Sequence, residues 1–135
     1  DAWSRRVIGW ALGDRLTTDL SEEALLHAIA LRNPEPGLVH HSDQGVQYAN
    51  HRYVDRLTQI GATISMSAAG RPTDNARMES FIATLKREEV RINDYQNLAD
   101  ARASLTPFLT VVYNTTRLHS SLGYRPPVEF EGNPS

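Results

Sequence analysis

The chain has 135 residues, 40% of them hydrophobic and 22% charged, a formal net charge of -2 and no cysteine. That length and apolar content suit one globular domain, or most of one, with a real core, and the missing cysteines exclude disulfides, thiolate metal sites and cysteine nucleophiles. No apolar run is long enough to span a membrane, no secretory signal is visible, and the net charge does not advertise a nucleic-acid partner.

Trp3 to Leu12 is rich in β-branched and aromatic residues and reads as a strand. No partner strand precedes it, so the natural domain is expected to start earlier. After the Gly13-Asp14 turn, Ser21 is the expected N-cap of a helix with Glu22 and Glu23 in its first turn. Leu25, Ala28 and Ile29 recur at helical spacing, and the helix should run to about Arg32, before Pro34, Pro36 and Gly37 break the pattern. Leu38 to His41 reads as a short, buried central strand. Asn50 should cap the next helix, with Tyr53, Leu57 and Ile60 as its apolar stripe and Gly61 just past its end. Ala62 to Met66 reads as another strand, and Ser67 to Asp74 as a polar loop. Asn75 to about Val90 is the clearest helix, because Met78, Phe81, Ile82 and Leu85 line one face. Leu98 to about Leu118 reads as a final helix with Ala101, Leu105, Phe108 and Val112 inward, kinked or split at Pro107. The tail, with Gly123, Pro126, Pro127 and Pro134, should be extended or loose. Strands alternating with helices place the chain in the α/β class.

Two carboxylates carry the candidate chemistry. Asp43 follows a strand, and the carboxyl ends of strands are where open α/β sheets gather ligands. Glu79, beyond the thirty-five residues 44–78, falls one turn into the Asn75 helix, on roughly the same side as Asn75 and Lys86, the chain's single lysine. Such acids can hold Mg²⁺, which prefers hard oxygen ligands and keeps several waters. Two such ions can assist an in-line phosphoryl displacement, and a lysine can hold a phosphate as a point charge. On spacing alone a turn aspartate and half of a surface ion pair fit at least as well. The basic residues Arg71, Arg77, Lys86, Arg87 and Arg91 are interleaved with acids, the ordinary pattern of a solvated helix face. His40 and His41 alternate sides of a strand, so one should be buried and hydrogen-bonded rather than catalytic. His119 suits a C-terminal helix-dipole partner. There is no zinc motif, hydrolase elbow or glycine-rich phosphate loop.

The blocks His41-Ser42-Asp43-Gln44-Gly45-Val46-Gln47-Tyr48, Ser65-Met66-Ser67, Asp74-Asn75-Ala76-Arg77-Met78-Glu79-Ser80-Phe81, Leu85-Lys86-Arg87-Glu88 and Tyr113-Asn114-Thr115-Thr116-Arg117-Leu118-His119 occur in this order. Together they resemble the catalytic core of bacterial insertion-sequence transposases of the DDE type, with a retroviral-integrase-like domain. Ser4 to Trp10 is similar to that family's second-strand region. The resemblance implies a ribonuclease-H-like α/β fold lacking its first strand, with a core over residues 1–125 and a proline-containing tail over 126–135. It implies a divalent-metal site for Mg²⁺ or Mn²⁺, and cutting and joining of DNA at transposon ends and target. In its terms Asp43 is the second catalytic acid, Glu79 the third, and Lys86 a DNA-contacting lysine. Gln44, Asn75 and Arg77 would shape the site or face DNA. It further implies a homo-oligomer in the bacterial cytoplasm, at the nucleoid. One departure stands out: Asp1 does not match the family's first acid, so these residues are expected to be inactive alone. The rival expectations are a non-catalytic DNA-binding or assembly remnant, and a nuclease acting on RNA–DNA hybrids.

Overall fold

The computed structural model describes residues 1–68 and 70–132, apart from the side chains of Pro72 and Asp74; Pro134 of the expected tail lies outside the described residues. The chain divides into two units, Gly9–Ile82, and Asp1–Ile8 together with the described residues from Ala83 onward.

In the Gly9–Ile82 unit, helix α1 (Thr18–Arg32) starts earlier than expected. Thr17 holds an extended backbone and its hydroxyl accepts the Leu20 N–H at 3.2 Å, so Thr17 takes the capping role and Ser21 falls inside the first turn. Asn33, with φ +42, ends the helix by donating its N–H to Ile29 O at 2.8 Å. Strands β1 (Val39–Ser42) and β2 (Thr63–Met66) pair in parallel, Val39 opposite Thr63 and Ser42 opposite Met66. The crossover between them contains α2 (Val46–Ala49) and α3 (His51–Gln59), as a parallel pair requires. Asn50 caps α3 as expected, accepting Arg52 N–H at 2.9 Å, and Gly61, with φ +69, follows its end. Tyr53 and Leu57 of α3 form the core with Leu25 of α1, surrounded by Ile29, Tyr48, Ile60 and Ala62. The buried Glu22 carboxylate joins the two helices, receiving Arg52 Nη2 at 2.5 Å and Arg56 Nε at 3.0 Å.

Three expectations fail in physically related ways. Trp3–Leu12 forms no strand. Its Gly9 instead presses on α1, where an added Cβ would come within 2.3 Å of Ala24 O and 2.7 Å of Ala28 N. Strand β1 is not a buried central strand: among the described residues the sheet has two strands, and Val39 is 61% exposed. Helix α4 (Ala76–Glu88) forms as expected, but of its apolar stripe Met78 is 60% exposed and Ile82 37%, while Phe81 and Leu85 are half-buried, so the stripe is covered only in part. Residue spacing is local, whereas a ladder partner or a covering layer must come from elsewhere in the chain.

In the other unit, the side chain of Asn114 does for Val7 what a neighbouring strand would do. Its Oδ1 accepts Val7 N–H and its Nδ2 donates to Val7 O, both at 2.9 Å. Ser4 is fully buried and donates to Glu131 Oε1 at 2.7 Å, while Arg6 Nη1 meets Glu131 Oε2 at 2.7 Å. A 3₁₀ turn (Val90–Ile92) follows α4, and the buried Glu89 carboxylate beside it accepts from Tyr95 Oη at 3.0 Å and from Ser104 Oγ. Helix α5 (Leu98–Pro107) is capped by Asn97, whose Oδ1 accepts Asp100 N–H at 2.8 Å. Pro107 splits the long helix as expected, and residues Phe108–Thr116 wind as a π-helix. Hydrogen bonds from i to i+5 widen each turn, so the buried positions become Phe108, Leu109, Tyr113 and Asn114. Ala101, Leu105 and Phe108 point inward as expected, but Val112 is thrown outward and is 42% exposed. Within its described residues the expected loose tail is structured instead: a 3₁₀ turn (Ser120–Leu122) buries Leu122, and α6 (Pro127–Gly132) buries Pro127. No helix among the described residues is long and apolar enough to cross a membrane.

Candidate active site

Asp43 occupies the turn that leaves β1, at the carboxyl end of the parallel pair. The two strand ends stay together up to that turn because Ser67 N–H donates to Ser42 O at 2.8 Å. The Ser67 hydroxyl donates to the same carbonyl at 3.3 Å, and His41 spans two hydroxyls, Nδ1 at 2.9 Å from Ser65 Oγ and Nε2 at 3.0 Å from Ser67 Oγ. With its proton directed to Ser42, Ser67 Oγ accepts from His41 Nε2–H, and Nδ1 then accepts from Ser65. His40 faces the other way, its Nε2 3.0 Å from Tyr53 Oη. Burial holds the His40 pKa below its ordinary value and pushes the Tyr53 phenol up to about 12. Both histidines are therefore hydrogen-bonded struts of the strand, where one had been expected.

The Asp43 carboxylate is oriented locally. Its Oδ1 accepts the Gly45 N–H at 2.8 Å, an Asx turn that leads into α2. Asp43 and Gln44 are exposed, and both line an open groove of about 340 Å³ with Ser67, Ala68, Gly70, Arg71 and Asn75. Of the residues singled out from sequence, the groove thus brings together Asp43, Gln44 and Asn75. Glu79 and Arg77 lie in the first turn of α4, both exposed and neither on the groove wall. Lys86 is exposed near the end of α4, in the unit that begins at Ala83. Arg71 had been counted only as part of a mixed-charge segment, yet it stands on the groove; its place within the polar loop, between Ser67 and Asn75, was the available signal.

By donor type these residues fit a hard cation. Asp43 and Glu79 offer carboxylate oxygens, and Gln44 and Asn75 offer carboxamide oxygens, with open space for retained waters at the groove. Among the described residues no three His, Asp or Glu side chains gather as a metal-binding group.

His119 is not a cationic helix-end partner. It is 8% exposed, sits edge-on to the Tyr113 ring at 4.9 Å, and has Nδ1 3.4 Å from Arg117 Nη1. Arg117 is in turn held by Glu88 through bonds of 2.8 and 2.9 Å. Burial first, then the Arg117 charge, lowers the His119 pKa.

Comparison with known proteins supplies the frame for this geometry. Two family patterns, both described as integrase core domain, match residues 1–72 and 60–127. The chain is 42% identical over 131 residues to the transposase for insertion sequence element IS904 of Lactococcus lactis, covering 97% of this chain and 52% of that protein. It is 37% identical over 130 residues to the insertion element IS600 uncharacterized 31 kDa protein of Shigella sonnei, covering 96% and 48%. It is 36% identical over 131 residues to transposase InsF for insertion sequence IS3A of Escherichia coli, covering 97% and 46%. The chain spans about half the length of these relatives.

Proposed function

Because the chain belongs to the integrase core family of insertion-sequence transposases, whose fold is ribonuclease-H-like, we propose that Asp43 and Glu79 are two acids of a DNA-transposition site. The observation that carries this reading is the ordered agreement of residues 1–127 with integrase cores, joined to an oriented Asp43 on a groove shared with Gln44 and Asn75. The substrates are the phosphodiesters of transposon ends and target DNA. Asp43 and Glu79 would hold Mg²⁺ or Mn²⁺, which when bound makes a water or a 3′-hydroxyl a better nucleophile and offsets charge on the scissile phosphate. The protein's own part is positional. The Gly45 N–H fixes one Asp43 oxygen, and the Ser42, His41 and Ser67 bonds hold the turn that bears it. Gln44, Asn75 and Arg77 are assigned to DNA near the site, and Lys86 to a backbone phosphate as a point charge. More than one subunit takes part, and since Asp1 does not match the family's first acid we propose that residues 1–135 do not turn over alone.

The test is Mn²⁺ binding by calorimetry, with Asp43→Asn and Glu79→Gln each expected to weaken it by roughly tenfold or more, since losing even an outer partner of a ligand costs about 10–100-fold. An unchanged isotherm in both variants sinks the metal site and leaves the non-catalytic remnant. Metal-dependent cleavage of transposon-end DNA by the wild-type chain would overturn the statement that it is inactive alone.

A further inference from the structure

We infer that Arg71 is a phosphate-binding residue of the Asp43 groove, holding a backbone phosphate of the DNA strand the groove receives; the inference rests on the function proposed above. The arginines that secure the fold are committed to acids: Arg6 to Glu131, Arg52 and Arg56 to Glu22, and Arg117 to Glu88. Arg71 joins none of the ion pairs seen among the described residues and is exposed on the groove wall.

Its placement is fixed from both sides. The turn from Ala68 closes through Arg71 N–H to Ala68 O at 3.2 Å. Behind that turn, Ser67 is 7% exposed and bonded to Ser42 and His41; ahead of it runs the 3₁₀ turn Pro72–Asn75, which brings Asn75 to the same groove. Charge supplies the reason for a cation here. Asp43 repels any phosphodiester that enters, and among the described residues lining the groove Arg71 alone is positive. A guanidinium matches phosphate oxygens with two parallel N–H bonds, a geometry an ammonium lacks. The Gln44 and Asn75 carboxamides add neutral N–H donors beside it.

The experiment measures binding of the full 135-residue chain to a fluorescently labelled DNA duplex by anisotropy across a salt series, with circular dichroism confirming that each variant folds. Losing one phosphate contact reduces the slope of log affinity against log salt by about 0.9 for duplex, or about 0.7 for a single strand. Arg71→Gln is expected to show that reduction, Arg71→Lys to restore most of the slope, and Arg15→Gln, an exposed arginine outside the groove, to leave it unchanged. An unaltered slope in Arg71→Gln, or an equal reduction in Arg15→Gln, overturns the assignment of Arg71 while the proposed function stands. Absence of salt-dependent DNA binding by the wild-type chain overturns the DNA reading and this inference with it.

Discussion

Replacing Asn114 with alanine removes both hydrogen bonds that the Val7 backbone makes with it, one accepted at 2.9 Å and one donated at 2.9 Å. Asn114 is 6% exposed and Val7 partly buried, so water regains these groups only in part. Each lost bond is worth about 1 kcal/mol net, and a buried group left without a partner costs about 1–3 kcal/mol, which puts Asn114→Ala at roughly 3 kcal/mol of destabilisation. With an m-value of about 1–3 kcal/mol/M, the urea midpoint should fall by roughly 1–3 M at unchanged slope. Asn114→Asp is the sharper variant: it keeps an acceptor for Val7 N–H but sets an oxygen against Val7 O, so it should do no better than alanine at neutral pH. Hydrogen exchange at the Val7 amide localises the effect, since its protection should collapse in Asn114→Ala, which leaves that N–H without its acceptor, and survive better in Asn114→Asp. A midpoint shift equivalent to less than about 0.5 kcal/mol, with Val7 still protected, would refute the idea that this carboxamide stands in for a strand.

Gly9→Ala should destabilise by about 2–3 kcal/mol, because the new methyl meets the backbone of α1 at Ala24 and Ala28, whereas Gly132→Ala, with open space around it, should be neutral in the same thermal melt. Glu22→Ala should cost about 2 kcal/mol by urea titration: the carboxylate is buried and doubly bonded, but Arg52 and Arg56 are about half exposed and recover water. Stability should fall on acidification in two windows. His119, faced by Arg117, Tyr113, Glu88 and Arg5, has a folded pKa lowered by burial, so the unfolded chain takes up a proton first and stability drains as pH falls below about 6.5. Glu88, lowered by its bond to Arg117, contributes stability that is complete above about 4.5 and lost as pH falls through its folded pKa. His119→Gln should flatten the upper window, leaving the part due to His40, and spare the lower one; an unchanged profile by pH-dependent melting would reject this account.

What could be read from residues alone followed the range of the interaction. Helix α3 was legible in full, since the Asn50 cap, the Tyr53 and Leu57 stripe and the Gly61 stop all act within a few residues. The break at Pro107 was legible because a missing N–H is local; the π-helical register beyond it was not, and Val112 was misplaced in consequence. Trp3–Leu12 has the composition of a strand, but composition cannot provide a neighbour, and the hydrogen bonding of Val7 comes from a side chain 107 residues away. Met78 and Ile82 repeat the lesson for a helix face. At the site, the turn chemistry of Asp43 was legible, and Gln44 and Asn75 do share its groove. Arg71 was hidden because a charge within a polar loop looks like any solvated charge until the loop's path is known.

The π-helical stretch Phe108–Thr116 makes chain length itself a structural parameter. With its wide i to i+5 turns kept, deleting one residue between Phe108 and Val112 would rotate the Asn114 carboxamide about the helix axis by roughly 80°, away from Val7. Such a deletion leaves Asn114 itself unchanged, yet it should be more harmful than most exposed-site substitutions along the same stretch. An insertion should do comparable damage in the opposite rotational sense. This segment works as a spacer with a set number of residues, and that number matters alongside the identity of its buried ones, Asn114 above all.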